Sequence, residues 1–299
     1  MKKLSYGLAA VLAASAALAQ APAPASPPGG DLILIGGGEK PDEAMRKFVE
    51  LAGGPGAPIV VIPTASTLKS TRKYYAKEFR EELGCAASTV LDIRKREDAA
   101  RPDYVAAVSR ARGIFFGGGD QVRITSALLD TPVGRAIAEA FARGAVVGGT
   151  SAGTACQSAL MITGEGDFTV IRAGAVELKP GFGFVPGIVV DQHFIARQRS
   201  NRLISVILEH PDLLGVGIDE DTAAWVRPDG TLRVIGTGSV MVIDPGGASV
   251  RRAPDASGKD LLGVHDLRVH VLLAGEGYDL GKRAVLGRDA ADGGKRSGP

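Results

Sequence analysis

The 299-residue chain has only two cysteines, Cys85 and Cys156. Two thiols cannot build the disulfide framework of a small stapled domain, so the fold must rest on a hydrophobic core. Two buried free thiols are expected, with a single bridge between them as the alternative. Charge excess is missing as well. The formal net charge is +2, and Lys2 and Lys3 are the only charged residues in the first nineteen positions. Without that segment the chain is about neutral, which leaves no electrostatic footprint for nucleic acid or an anionic membrane. No later stretch is long and apolar enough to span a bilayer, which takes about 20 residues. Internal repeats are absent too.

What the first residues do contain is a basic start, an apolar run from Leu8 to Leu18 and the small-residue triplet Ala17-Leu18-Ala19. That order describes a secretory signal peptide cut near Ala19–Gln20, and the run is too short for a stable transmembrane anchor. No cysteine sits at the cut, so a lipid anchor is not expected. The protein is therefore expected to be exported, to a periplasm or to the medium, with no stable membrane insertion after cleavage. Residues 20–30 follow as a Pro/Ala/Gly tether with nothing to bury. Residues 31–283 form one α/β domain in this reading, and the polar, glycine-rich residues 284–299 a disordered tail.

Between the tether and residue 160 the chain alternates short apolar runs with helical spacing. Strands are expected at 31–35, 58–62, 89–93, 113–116 and 145–148, and helices at 44–51, 71–83, 104–111, 123–129 and 133–143. Wholly apolar strands between helices imply a parallel sheet covered on both faces. Beyond residue 160 glycine and proline punctuate a region of loops with a hairpin. A strand at 187–190, a helix at 196–210 and a strand at 214–218 come next. Residues 223–226, 232–235 and 240–243 read as an antiparallel finish, with a last strand at 269–274.

Gly149-Thr150-Ser151-Ala152-Gly153 fits the G-x-S-x-G pattern where a buried strand meets a helix. A strand that turns at once into a helix forces its middle residue into a strained conformation, and only small neighbours fit around it. The serine oxygen then stands exposed at the positive end of the helix. Glycine-rich turns of this kind also bind phosphate, which is the competing interpretation. A nucleophilic serine needs a base, and the candidates are His193, His210, His265 and His270. His193 stands apart because it directly follows a strand, and catalytic groups of open parallel sheets gather at strand C-terminal ends. Asp219, Glu220 and Asp221 follow the strand 214–218 in the same way, so one of these acids can hold the imidazole. Their bland alternative is a solvated turn. Arg197, Arg199 and Arg202 lie close behind His193, either as a solvated helix face or as a site for a carboxylate-bearing substrate.

Three blocks, Gly-Gly-Thr-Ser151-Ala-Gly, Asp191-Gln-His-Phe194 and Gly217-Ile-Asp-Glu220-Asp-Thr-Ala, resemble the signature blocks of cyanophycinases. Those enzymes form a serine-peptidase branch of the class I glutamine-amidotransferase-like fold, alongside dipeptidase E. Gly36-Gly-Gly-Glu39, Phe115-Phe-Gly-Gly-Gly-Asp-Gln121 and Val269-His-Val-Leu-Leu-Ala-Gly275 are similar too, so the likeness spans nearly all of residues 31–283. It implies an α/β three-layer sandwich with a mostly parallel central sheet and an antiparallel β extension near the C-terminus. It also implies a catalytic triad of Ser151, His193 and Glu220. Ala152 and a glycine of the 117–119 run, Gly118 or Gly119, would hold the oxyanion. Gln121, Asp191, Gln192, Arg197, Arg199 and Arg202 would contact substrate.

The implied reaction is hydrolysis of cyanophycin, a poly-aspartate backbone with arginine on each side chain, to β-Asp-Arg dipeptides. No metal or other cofactor is implied, and homodimers are usual in the family. Three alternatives remain at this point. One is a related peptidase acting on short aspartyl or β-aspartyl peptides. A second is an α/β-hydrolase esterase, whose Ser–acid–His order would call on His265 or His270. The third is an inactive binding protein on the same scaffold.

Overall fold

A computed structural model describes residues 29–288. The signal segment, nearly all of the tether and the last eleven residues lie outside the described residues. The first half of the chain runs β1 (Leu32–Ile35), α1 (Asp42–Leu51), β2 (Ile59–Ile62), α2 (Thr71–Lys77), β3 (Thr89–Val90) and α3 (Pro102–Ser109). It continues with β4 (Gly113–Phe116), α4 (Gln121–Leu128), α5 (Pro132–Ala142), β5 (Val146–Thr150) and the single turn α6 (Ala152–Ala155). The hairpin β6 (Leu160–Gly166) and β7 (Val176–Pro180) leads to β8 (Ile188–Gln192), α7 (Ser200–Glu209) and β9 (Leu214–Ile218). Strands then dominate: β10 (Thr222–Val226), β11 (Thr231–Gly236), β12 (Val240–Asp244), β13 (Ser249–Pro254) and β14 (Asp260–His265). The described chain ends with β15 (Arg268–Leu272), β16 (Gly277–Asp279) and β17 (Ala284–Leu286).

The fold is α/β around a nine-stranded sheet ordered β17-β16-β11-β10-β1-β5-β4-β2-β3. Its β3-β2-β4-β5-β1 half is parallel, and β10, β11, β16 and β17 extend it antiparallel. The period-2 alternation of a strand explains why these apolar runs carry no polar face. Leu32 and Leu34 of β1 enter one core with α3, α4 and α5, while Ile33 and Ile35 enter another with α1 and the Tyr75 and Phe79 rings. Strand β2 divides the same way, with Val60 and Ile62 against Ile59 and Val61. Helices therefore cover both faces, as expected from the sequence.

Four details depart from the sequence reading, each for a physical reason. Strands β8 and β9 are parallel to each other but belong to a second sheet, β15-β12-β9-β8, backed by α7. The third strand of the expected antiparallel finish, β12, pairs with β9 and β15 and not with β11. The helix expected from 196 begins only at Ser200. The N–H groups of Ile195 and Ala196 donate to Asp219 Oδ1, and Gln198 takes φ 52°, so the segment before it wraps over Asp219. Residues 284–286, assigned to the tail, add β17 to the edge of the main sheet beside β16. Cys85 and Cys156 are both buried and free.

Candidate active site

Strand β5 ends at Thr150, and the next residue, Ser151, has φ 53° and ψ −113° before α6 begins. A side chain in this region of backbone space costs about 1–3 kcal/mol, so the neighbourhood must enforce it. It does so by close packing. A Cβ on Gly153 would stand 2.2 Å from the Phe116 carbonyl oxygen, and one on Gly149 would stand 2.2 Å from the Gly153 oxygen. The Ser151 N–H donates to the Ile35 carbonyl at 3.0 Å. The buried Thr154 hydroxyl lies 2.7 Å from the same carbonyl and 2.8 Å from that of Gly149, tying α6 to β1 and β5. The serine is thus held above the sheet where three elements meet.

Its hydroxyl is 2.8 Å from His193 Nε2, and His193 Nδ1 is 2.5 Å from Glu220 Oε1. His193 also has positive φ, 49°, and its N–H donates to the Gly36 carbonyl at 2.7 Å. Gly37, at φ 115°, packs against the imidazole so tightly that a Cβ would meet Cε1 at 2.1 Å. The three adjacent acids are divided among three partners. Asp219 accepts from Ile195 and Ala196, Glu220 meets His193, and Asp221 Oδ1 accepts the Glu39 N–H at 2.7 Å. Burial lowers the His193 pKa below its usual 6.5; the Glu220 hydrogen bond works upward and the Arg197 charge downward. A neutral, oriented imidazole touching a serine hydroxyl can remove its proton.

Two cavities meet at Ser151. One, of about 440 Å³, includes Gln121, Gln192, Arg197, Arg199 and Arg202 in its wall. Asp191 and Arg202 are both fully buried and paired, with Arg202 Nε 2.7 Å from Asp191 Oδ2 and a second, shorter contact beside it. Arg199 binds the Gln192 carbonyl at 2.7 Å and also its side-chain oxygen. Burial, with Arg202 nearby, holds the Arg199 pKa down to about 10, so it remains a cation at neutral pH. Arg197 is half-exposed, 3.9 Å from Glu220. Gln121 donates its amide to the carbonyls of Ile162 and Thr163, both at 2.7 Å, which fixes it against the β6–β7 hairpin. The other cavity, of about 330 Å³, lies on the side of the serine bounded by Gly37, Lys40 and the α2 tyrosines.

All the sequence-derived site residues therefore converge on one locality. Of the backbone donors, the Gly119 and Ala152 N–H groups have no protein acceptor among the described residues, whereas the Gly118 N–H donates to the Tyr75 hydroxyl at 3.3 Å. His265 lies in the β13–β14 hairpin, and the His270 ring packs on Tyr278 at 5.4 Å. Neither enters a cavity that contains Ser151. Sequence reasoning missed Thr154, Tyr75 and the hairpin residues Thr163, Glu165, Glu177 and Lys179. Thr154 is three residues from Ser151 in the same turn but outside the motif, and only tertiary pairing brings Tyr75 and the hairpin residues to the serine's cavities. Among the described residues no group of His, Cys, Asp and Glu is placed to hold a metal ion.

Comparison with known proteins agrees with this geometry. Residues 32–234 match the model of peptidase family S51. A cyanophycinase from Nostoc sp. is 38% identical over 259 residues, covering 85% of this chain and 87% of that protein. A cyanophycinase from Synechococcus elongatus is 38% identical over 255 residues, covering 84% and 79%. Peptidase E from Streptomyces coelicolor is 27% identical over 162 residues, or 51% of this chain and 63% of that protein. The crystal structure of a peptidase from an acI-B1 Actinobacterium shares the fold, with a TM-score of 0.63 at 24% identity over 84% of this chain and 97% of that one. Fold and relatives together define a serine-type peptidase. The chain belongs to peptidase family S51.

The depressed His193 pKa has a testable sign. Only the neutral imidazole accepts a proton, so kcat/KM falls as pH drops through that pKa, and its acid limb should centre below pH 6.5. Glu220→Gln removes an interaction that raises the pKa. The acid limb should move lower still, while the plateau drops about 10²- to 10⁴-fold. A wild-type limb centred at or above 6.5 contradicts the assignment.

Proposed function

We propose that this chain is an exported serine peptidase that hydrolyses cyanophycin to β-Asp-Arg dipeptides through an acyl-enzyme on Ser151. The observation that carries the reading is the hydrogen-bonded series Ser151–His193–Glu220 beside a cavity walled by arginines. His193 takes the Ser151 proton as the oxygen attacks a backbone carbonyl, and Glu220 stabilises the imidazolium that results. The Ala152 N–H, with that of Gly119 or Gly118, stabilises the oxyanion. His193 then protonates the departing amine, and a water molecule activated by the same imidazole releases the acyl group. Asp191 neutralises the buried Arg202 in the cavity wall, and Gln192 holds Arg199, so that the Arg199 guanidinium faces a carboxylate of an aspartyl substrate with little entropy left to lose. Gln121 and the half-exposed Arg197 complete the grip. The relatives named cyanophycinase, which share most of this chain's length, support the polymer as substrate.

Two further features belong to the proposal. Residues 1–19 direct export, which places the substrate outside the cell that makes the enzyme. Polymer released by other cells suits a protein in the medium, and small β-aspartyl peptides suit one kept in a periplasm. Homodimerisation would use the edge strand β15, where Val269 and Val271, with Leu273 just beyond the strand, stand about half-exposed. Among the described residues no helix is long and apolar enough to cross a membrane.

Purified cyanophycin incubated with the wild-type chain should yield β-Asp-Arg, and Ser151→Ala or His193→Ala should each abolish the release. His265→Ala and His270→Ala should leave it within about twofold, since substitutions remote from such a site rarely matter. No release from polymer, with turnover of a short aspartyl peptide, would transfer the assignment to the short-peptide peptidase. Turnover of neither would leave a binding protein. Expressed with its own leader, the protein recovered outside the cytoplasm should begin at Gln20; an intact Met1 on that material refutes the leader assignment.

A further inference from the structure

The second cavity at Ser151 contains a phenol whose proton is unused. Tyr75 projects from α2 and is 4% exposed, with its ring against Phe115 at 6.2 Å between centroids. Its hydroxyl accepts the Gly118 N–H at 3.3 Å. A Cβ on Gly117 would lie 2.9 Å from that oxygen, and one on Gly118 would lie 3.5 Å from Ser151 Cβ. The hydroxyl thus sits one backbone step from the nucleophile, on the wall of the cavity that Ser151 and His193 also line. Having accepted, it donates to nothing among the described residues. Lys40 and Glu78 are bonded to Tyr74 instead, at 2.7 and 3.5 Å. Burial pushes the Tyr75 pKa up to about 12, against the pull of Lys40, so the proton is present at neutral pH.

A phenol O–H on the wall of this cavity, with no protein acceptor among the described residues, is free to donate to a group that arrives beside Ser151. The oxygen that develops negative charge during acyl transfer is such an acceptor. We propose that the Tyr75 hydroxyl is a side-chain donor to the oxyanion, acting with the Gly119 and Ala152 N–H groups. Ser151 Oγ bonds to the carbonyl carbon, its proton passes to His193 Nε2, and the C=O π pair moves onto oxygen. Tyr75 donates a hydrogen bond to that oxygen and keeps its proton throughout. The Gly118 N–H, bonded to the phenol oxygen, polarises the O–H and strengthens the donation. Collapse restores the carbonyl and expels the amine with the proton from His193. The role deepens the serine-acyl reading above and rests on it.

The test is Tyr75→Phe in the full chain, which keeps the ring and removes only the hydroxyl; its melting temperature, compared with wild type, separates misfolding from chemistry. Loss of one oxyanion donor should lower kcat about 10²-fold with KM within about threefold. A second measurement, independent of the natural substrate, is the affinity for phenylboronic acid, which forms a tetrahedral adduct with an active-site serine. Wild type should bind it, and the folded variant should bind it at least tenfold more weakly. If wild type binds the boronate but kcat and boronate affinity are unchanged or improved in the variant, the proposal is overturned and Tyr75 merely occupies Gly118. Should wild type form no adduct at Ser151, the serine-acyl reading itself fails and takes this inference with it. Wild type that binds boronate but ignores cyanophycin loses only its substrate assignment, and the boronate comparison still decides the role of Tyr75.

Discussion

Ser151 is held at φ 53°, and the surrounding structure is arranged to keep it there. The conformation is unfavourable by about 1–3 kcal/mol for a residue with a side chain. It persists because β5 and α6 leave no volume for relaxation around Gly149 and Gly153 and because Thr154 ties the turn to β1. The same closeness sets the rest of the site. Strand β1 ends beside the elbow, so the glycine loop that follows it meets His193 from behind, through the Gly36 carbonyl and the face of Gly37. Ser151 and His193 are therefore fixed to one another through the end of a single buried strand.

Electrostatics then follow from burial. An imidazole taken partly out of water favours its neutral form, which is the form a base requires. Glu220 offsets part of that bias while fixing the tautomer, and Arg197 opposes Glu220 at a longer distance. Deeper in the wall, Asp191 and Arg202 neutralise one another where an unpaired charge would cost several kcal/mol. That pair is an anchor more than a binding group. Of the other two arginines in the cavity wall, Arg199 is still cationic and Arg197 is half in solvent.

Much of this was legible in the sequence because it is local. Buried strands show as unbroken apolar runs, and the elbow shows as small residues around a serine where a strand becomes a helix. The rule that functional groups gather at strand ends put His193 and the acids after β9 on one rim, and the structure brings His193 and Glu220 together there beside Ser151. Their actual sheet was not legible, since β8 and β9 leave the main sheet through pairings that depend on β12 and β15, far along the chain. Nor could the residues alone say which acid of Asp219, Glu220 and Asp221 faces the imidazole. The resemblance named Glu220, and the reason is that its neighbours are engaged by backbone N–H groups from other loops. Tyr75 had no signature at all, being one aromatic on an ordinary helix. The three-residue strand β17 was hidden by the polar stretch around it.

The central claim is that Ser151 is activated by His193 and by no other histidine. Its most direct test is the rate at which a fluorophosphonate probe labels the protein, with the modified residue identified by mass spectrometry of the digest. The account predicts one adduct, on Ser151, formed at least 10²-fold more slowly in His193→Ala and at an unchanged rate in His270→Ala. Labelling of a different serine, or undiminished labelling of Ser151 without His193, would contradict it.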